Sequence, residues 1–263
     1  MPRDLDDVLH FFLPVADRSD GAAWVAEPPR EQRAVALPIL TIPVASRDVV
    51  RAAFAWNLTV ELARLGARAA LIAPGDASTA PLWPEPGRGP LGAEVVYAPV
   101  RDIAALGHAA FDAAVTGAAD APEGGVVVVC VPPEWLMRGG PVRPMLRWVL
   151  LLATPETADL REVYALAKLA YRRGSDPLVG VVIHGVRRLR DAERAFAHVA
   201  GVAARHIGRS PLSYGLLADD LHVYRAIASR RPIGLEHPQS RAARALRDVA
   251  RMLWDDAQKM ALA

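Results

Sequence analysis

The chain has 263 residues, 52% of them hydrophobic and 23% charged, which is enough for a full core and excludes wholesale disorder. Its 31 basic residues against 29 acidic ones leave a net charge of +2, so no global field recruits nucleic acid. The single cysteine, Cys130, excludes an internal disulfide and a multi-cysteine metal site, and fits a reducing, cytoplasmic setting.

Residues 1–33 read as an N-terminal apolar segment on a flexible linker. Val8, Leu9, Phe11, Phe12 and Leu13 follow Asp4, Asp6 and Asp7, and a polar stretch with Gly21, Pro28 and Pro29 comes after. The flank is acidic and the apolar stretch short, unlike a secretory signal. Such a segment either packs on its own domain or offers apolar anchors to a partner protein.

From residue 34 the pattern alternates. Apolar runs at 34–44, 69–73, 94–97, 126–131, Trp148–Ala153, 178–183 and 212–214 are mostly continuous, as in strands buried on both faces. Helical stripes occupy 49–65, Thr157–Arg173, 191–207 and 241–254, with Gly66 and Gly174 as stops for the first two. Residues 74–93 form a Pro/Gly-rich loop. The pattern predicts an α/β domain over 34–254, a doubly wound and mostly parallel sheet with helices on both faces, followed by a tail at 255–263. No apolar run approaches the ~20 residues of a membrane span.

In such a sheet ligands bind beyond the carboxyl ends of the strands. The first strand–helix junction reads Pro43-Val44-Ala45-Ser46-Arg47-Asp48-Val49-Val50-Arg51-Ala52-Ala53. With the helix after it, and with Ala67-Arg68-Ala69-Ala70-Leu71-Ile72, it resembles the first βαβ unit of the MinD/ParA family of P-loop ATPases. Thr154-Pro155-Glu156, Gly180-Val181-Val182-Ile183-His184 and Gly215-Leu216-Leu217-Ala218-Asp219-Asp220 resemble later family segments in order and spacing. So do Arg231-Pro232 and the long terminal helix. The resemblance covers roughly 34–254, and the flagellar-number regulator FlhG is the most similar branch.

The resemblance implies an ATP- and Mg-binding site, and this sequence departs from it at each key position. A P-loop needs glycines whose N–H groups converge on phosphate, yet 34–57 contain none. Arg51 stands in place of the phosphate-binding lysine, Ser46 in place of the family's second lysine, and Ala52 in place of the metal-binding hydroxyl. Ala73, with Asp76 beyond it, takes the place of an acidic group. Cys130 replaces the Walker B aspartate and His184 the adenine-contacting asparagine. The only lysines, Lys168 and Lys259, lie in the second half. Val49 and Val50 are expected to fill the former phosphate space, with Arg51 pointing outward or pairing with Asp48.

Taken singly, Arg51 reads as a surface arginine or an anion site, Cys130 as a buried inert thiol, and His184 as a strand-end histidine satisfied by backbone. Asp219 and Asp220 read as a helix cap. The basic helix at 241–254 reads as packed against the core rather than as a membrane anchor. These departures point to a non-catalytic pseudo-ATPase that scaffolds or positions a larger bacterial assembly, without cofactor or metal. It contacts other proteins, in part through the N-terminal segment, and is a monomer or a nucleotide-independent homodimer. The alternatives are an ATPase with an atypical loop that holds ATP and Mg, and an arginine-based nucleic-acid or membrane-surface binder.

Overall fold

Val/Ile/Leu-rich strands β1 (Ile39–Pro43), β2 (Arg68–Pro74), β4 (Glu94–Ala98), β5 (Gly125–Val131), β6 (Trp148–Ala153), β7 (Leu178–Val186) and β8 (Leu212–Ala218) lie parallel, and the short β3 (Gly87–Arg88) adds an antiparallel edge. The computed structural model describes residues 36–75, 84–138 and 144–262. Strand order is β3-β4-β2-β5-β1-β6-β7-β8. β5 and β6 are buried at every residue, which is why their runs show no alternation.

Helices α1 (Val49–Arg64), α2 (Ile103–Ala119), α3 (Pro133–Arg138), α4 (Thr157–Arg173), α5 (Leu189–Ile207), α6 (Leu221–Ser229), α7 (Ile233–Glu236) and α8 (Arg241–Leu262) complete the domain. Two apolar layers sandwich the sheet. One joins α1 and α8 to it through Phe54, Leu58, Leu246 and Leu253. The other joins α2, α4 and α5 through Leu106, Ala110, Val163 and Val199. The chain reverses its direction of travel across the sheet between β1 and β6, so a crevice opens at their carboxyl ends.

Several boundaries differ from the sequence reading. The strand expected at 34–44 is confined to Ile39–Pro43, while β8 runs on from Tyr214 to Ala218. Helix α8 continues past Trp254 to Leu262, because buried Ala257 extends the stripe of Leu246, Val249 and Leu253 by one turn. The Tyr214 hydroxyl donates to Asp256 at 2.5 Å, tying this extra turn to β8. Helix α2 has no counterpart in the sequence reading. Asp102 caps it by accepting from the Ala105 N–H at 2.9 Å, but its small Ala/Gly-rich face gives a weak periodic signal. The segment with Val8, Leu9, Phe11, Phe12 and Leu13 lies outside the described residues.

Gly125 shows how tightly β2 and β5 are pressed together. A Cβ there would meet the Arg68 carbonyl oxygen head on, and would lie 2.9 Å from Leu37 Cδ1. Backbone cannot yield as a flexible side chain does. Gly125→Ala is expected to lose about 1–3 kcal/mol of stability in urea unfolding, and a variant as stable as the parent would contradict this packing.

Candidate functional site

The crevice between β1 and β6 is occupied by the protein's own charges. Helix α1 begins at Val49, and Asp48 caps it: the Arg51 N–H donates to Asp48 Oδ1 at 2.9 Å. A carboxylate therefore sits where helix N–H groups converge, a position suited to any anion. Arg51 lies in the first turn, so its side chain leans back over that N-terminus.

Each nitrogen of the Arg51 guanidinium meets a different carboxylate. Nε lies 3.1 Å from Asp48 Oδ2, Nη1 donates to Glu162 Oε2 at 3.0 Å, and Nη2 lies 3.7 Å from Asp159 Oδ2. The arginine side chain is only 6% exposed, whereas its partners are 27–37% exposed. Asp159 is itself fixed by the end of β6, accepting from Thr154 N–H at 3.1 Å and Thr154 Oγ–H at 2.7 Å. The cluster thus links the β1–α1 turn to the β6–α4 turn, and three negative charges face one positive charge.

The expected pairing of Arg51 with Asp48 is found, while two other sequence expectations are overturned. Arg51 is neither a surface arginine nor directed outward; it is buried, and its pairing with Asp48 is one of three. Val49 and Val50 are only half-buried, and Val50 lines a cavity beside β6–β8, so they do not form the buried apolar packing expected of them. Ser46 sits exposed in the turn, while Ala52 is buried under α1. Ala73 and Cys130 are buried near the carboxyl ends of β2 and β5, and Asp76 lies outside the described residues. Burial pushes the Cys130 thiol far above its usual value, as befits an unreactive core thiol.

His184 departs from the backbone-satisfied reading, since its Nε2 is buried and has no hydrogen-bond partner. Burial lowers its pKa, the nearby Arg51 charge lowers it further, and Asp48 and Asp159 oppose this in part. The imidazole is therefore neutral at neutral pH. It lines a cavity of about 70 Å³ on the α1 side of β6–β8, walled mainly by apolar side chains such as Phe54, Leu217 and Val223. Asp219 and Asp220 also line this cavity, and no lysine or arginine does. Asp220 caps α6, as its position predicts, accepting from His222 N–H at 3.0 Å and from Ala242 N–H at 3.2 Å. Asp219 pairs with exposed Arg187 at 3.4 Å.

Asp159 and Glu162 are the site residues that sequence reasoning missed. They lie more than a hundred positions from Arg51, and only the sheet topology brings them together. Among the described residues no group of three or more His, Cys, Asp or Glu is placed to hold a metal ion, and no helix is long and apolar enough to cross a membrane. The stripe of the basic C-terminal helix is packed into the core through Leu246, Val249 and Leu253.

An eight-stranded, mostly parallel sheet with helices on both faces and a crevice beside β1 is a doubly wound α/β fold, and solved structures give the particular version. The chain is similar to the septum site-determining protein MinD complexed with Mg-ADP from Pyrococcus horikoshii OT3 (TM-score 0.56, 14% identity, 85% of this chain and 98% of that one). It is also similar to a ParA family ATPase from Chlorobium tepidum TLS (TM-score 0.54, 14% identity, 83% and 99%). A third match is to the MinC:MinD cell division protein complex of Aquifex aeolicus (TM-score 0.54, 14% identity, 81% and 94%). The fold is therefore that of the MinD/ParA ATPases. No protein-family model matches the sequence, and no curated protein matches it.

Two outcomes follow from the charge cluster. Arg51→Ala leaves three carboxylates facing one another, and is expected to cost about 2–3 kcal/mol, less than a fully buried pair because the carboxylates rehydrate. An unchanged unfolding midpoint would contradict the clamp.

The second outcome concerns acid. Burial by itself raises the Asp159 pKa, but the Thr154 hydrogen bonds and the Arg51 and His184 charges carry it below the ordinary 3.8. A depressed carboxylate stabilises the fold above its unfolded value and loses that contribution as pH falls through the folded one. His184 acts in the same direction below its ordinary 6.5, since the unfolded imidazole takes up a proton that the folded one resists. The melting temperature should therefore fall in two stages as pH drops below 6.5 and then below 3.8. Asp159→Asn should shrink the second stage without abolishing it, since the Asp220 carboxyl is held below 3.8 as well; a melting series at stepped pH checks this, and an unchanged second stage would contradict it.

Proposed function

We propose that this chain is a MinD/ParA-fold pseudo-ATPase, resembling the FlhG-like branch, that acts as a cytoplasmic interaction and positioning scaffold for a larger assembly. The observation that carries this reading is the state of Arg51. It takes the position of the phosphate-binding lysine, yet its charge is spent on Asp48, Asp159 and Glu162.

A nucleotide has little to bind. The helix N-terminus that would face its phosphates already holds the Asp48 carboxylate. An incoming polyphosphate meets an excess of negative charge. The glycine-free turn from Val44 to Asp48 supplies no nest of convergent N–H groups. A magnesium ion fares no better, because Ala52 has no hydroxyl, Cys130 has no carboxylate, and the carboxylates present are engaged by Arg51. The residues do not fit Mg-ADP of the kind found in the Pyrococcus MinD.

Protein contact is the function that survives loss of the nucleotide. The Aquifex MinD of the same fold is found in complex with MinC, which supports protein partners for this chain as well. The apolar N-terminal segment with Phe11, Phe12 and Leu13 is the second candidate contact. The reading is tested by phosphate release with ATP–Mg²⁺ and by thermal shift with the same ligand. Neither hydrolysis above buffer background nor a shift in melting temperature is expected, for the parent or for Arg51→Lys. Mg²⁺-dependent turnover that is abolished by Arg51→Ala would overturn it.

A further inference from the structure

A groove runs from the start of α1 across Trp56 to β3. Buried Trp56 forms its floor. One wall is the loop with Pro84, Pro86 and Pro90, and the other is the α6–α7 connection with Arg230 and Pro232. Between these walls it opens to about 360 Å³, within the size range of binding pockets. The loop wall is pinned. The Pro84 carbonyl accepts from the Tyr97 hydroxyl at 2.6 Å, and Gly89 lies so near the indole that a Cβ there would come within 2.7 Å of Trp56 Cη2. Prolines also fix their own backbone, so the groove is preorganised and loses little freedom when filled.

The rim of this groove is basic. Arg88 on β3 and Arg230 at the end of α6 are exposed, and neither guanidinium is ion-paired among the described residues. Arg231 beside them is already paired with Glu236 at 3.2 Å, and Glu85 is the only acid among the described residues of this lining. Arg230 stands at φ 56°, the left-handed conformation in which glycine is the usual helix terminator. A side chain is therefore kept there against the backbone preference. The helix end does not need it, because backbone bonds to the Ala226 and Ile227 carbonyls complete the cap.

We propose that this groove docks an extended, acidic segment of another protein, with an aromatic side chain seated among the prolyl rings over Trp56 and carboxylates facing Arg88 and Arg230. An aromatic ring fills such a cleft with a large apolar area while freezing few torsions. Carboxylates give guanidiniums bidentate partners. A nucleic-acid strand fits less well. Two free cations neutralise few phosphates, and the buried indole has no open face on which a base could stack. The inference gives the scaffold of the pseudo-ATPase reading a partner chemistry, and rests on that reading only there.

Selection of a random heptapeptide phage library on the full chain, followed by anisotropy titration of the selected peptides, tests it. The expected peptides carry Asp or Glu beside Trp, Tyr or Phe. Arg88→Glu and Arg230→Glu should each weaken their binding about tenfold or more, a loss of ~1.4 kcal/mol. Both residues are at the surface, and unchanged melting temperatures would show both variants folded. Arg230→Gly should weaken binding alike yet melt no lower than the parent, because glycine suits φ 56°; a merely structural arginine would do the reverse. No enrichment, peptides without acidic residues, or binding indifferent to these substitutions would overturn the docking surface while leaving the pseudo-ATPase reading intact. So would displacement of the peptides by a single-stranded oligonucleotide. Displacement by ATP–Mg²⁺ would overturn both.

Discussion

A single guanidinium, that of Arg51, ties two strand–helix turns together at the carboxyl end of the sheet. Its three nitrogens reach Asp48 on its own helix cap and Asp159 and Glu162 on α4. These turns flank the switch point, where an open α/β sheet ordinarily keeps room for a ligand. Burying Arg51 is tolerable because every nitrogen finds an anion. The carboxylates in turn remain partly wet, which limits their desolvation cost. The Arg51 charge adds to burial in keeping His184 neutral, and Thr154 holds the Asp159 carboxylate that the guanidinium meets.

The clamp has the chemistry of a phosphate site with the phosphate replaced from within. A helix N-terminus attracts an anion, and here the anion is covalently attached as Asp48. A basic side chain over that terminus would ordinarily grip a ligand, and here it grips α4. An internal carboxylate is always present at high effective concentration, so the site is permanently occupied and its geometry does not answer to a cellular ligand.

Much of the fold was legible because continuous apolar runs such as Val126–Val131 and Trp148–Ala153 admit few readings besides buried parallel strands. Helix α2 was missed because Ala and Gly packing faces contrast poorly with their surroundings, and the end of α8 because alanines at its last turns carry little hydrophobic signal. The order of motifs singled out Arg51 and His184, which the structure brings near Asp48 and Asp159. The burial of Arg51 was not legible. A local reading of its helix places an arginine in the first turn at the surface, and its partners Asp159 and Glu162 arrive only after five further strands.

The account is tested most directly by ¹H–¹⁵N NMR of the arginine side chains, with Arg51 assigned through Arg51→Lys. A guanidinium held at three nitrogens exchanges its protons slowly and rotates slowly. The clamp therefore predicts resolved, slowly exchanging Nε–H and Nη–H signals for Arg51 that do not move when ATP–Mg²⁺ is added. A rapidly exchanging, averaged signal, or one displaced by ATP, would show the guanidinium free to serve a ligand and would contradict the central claim.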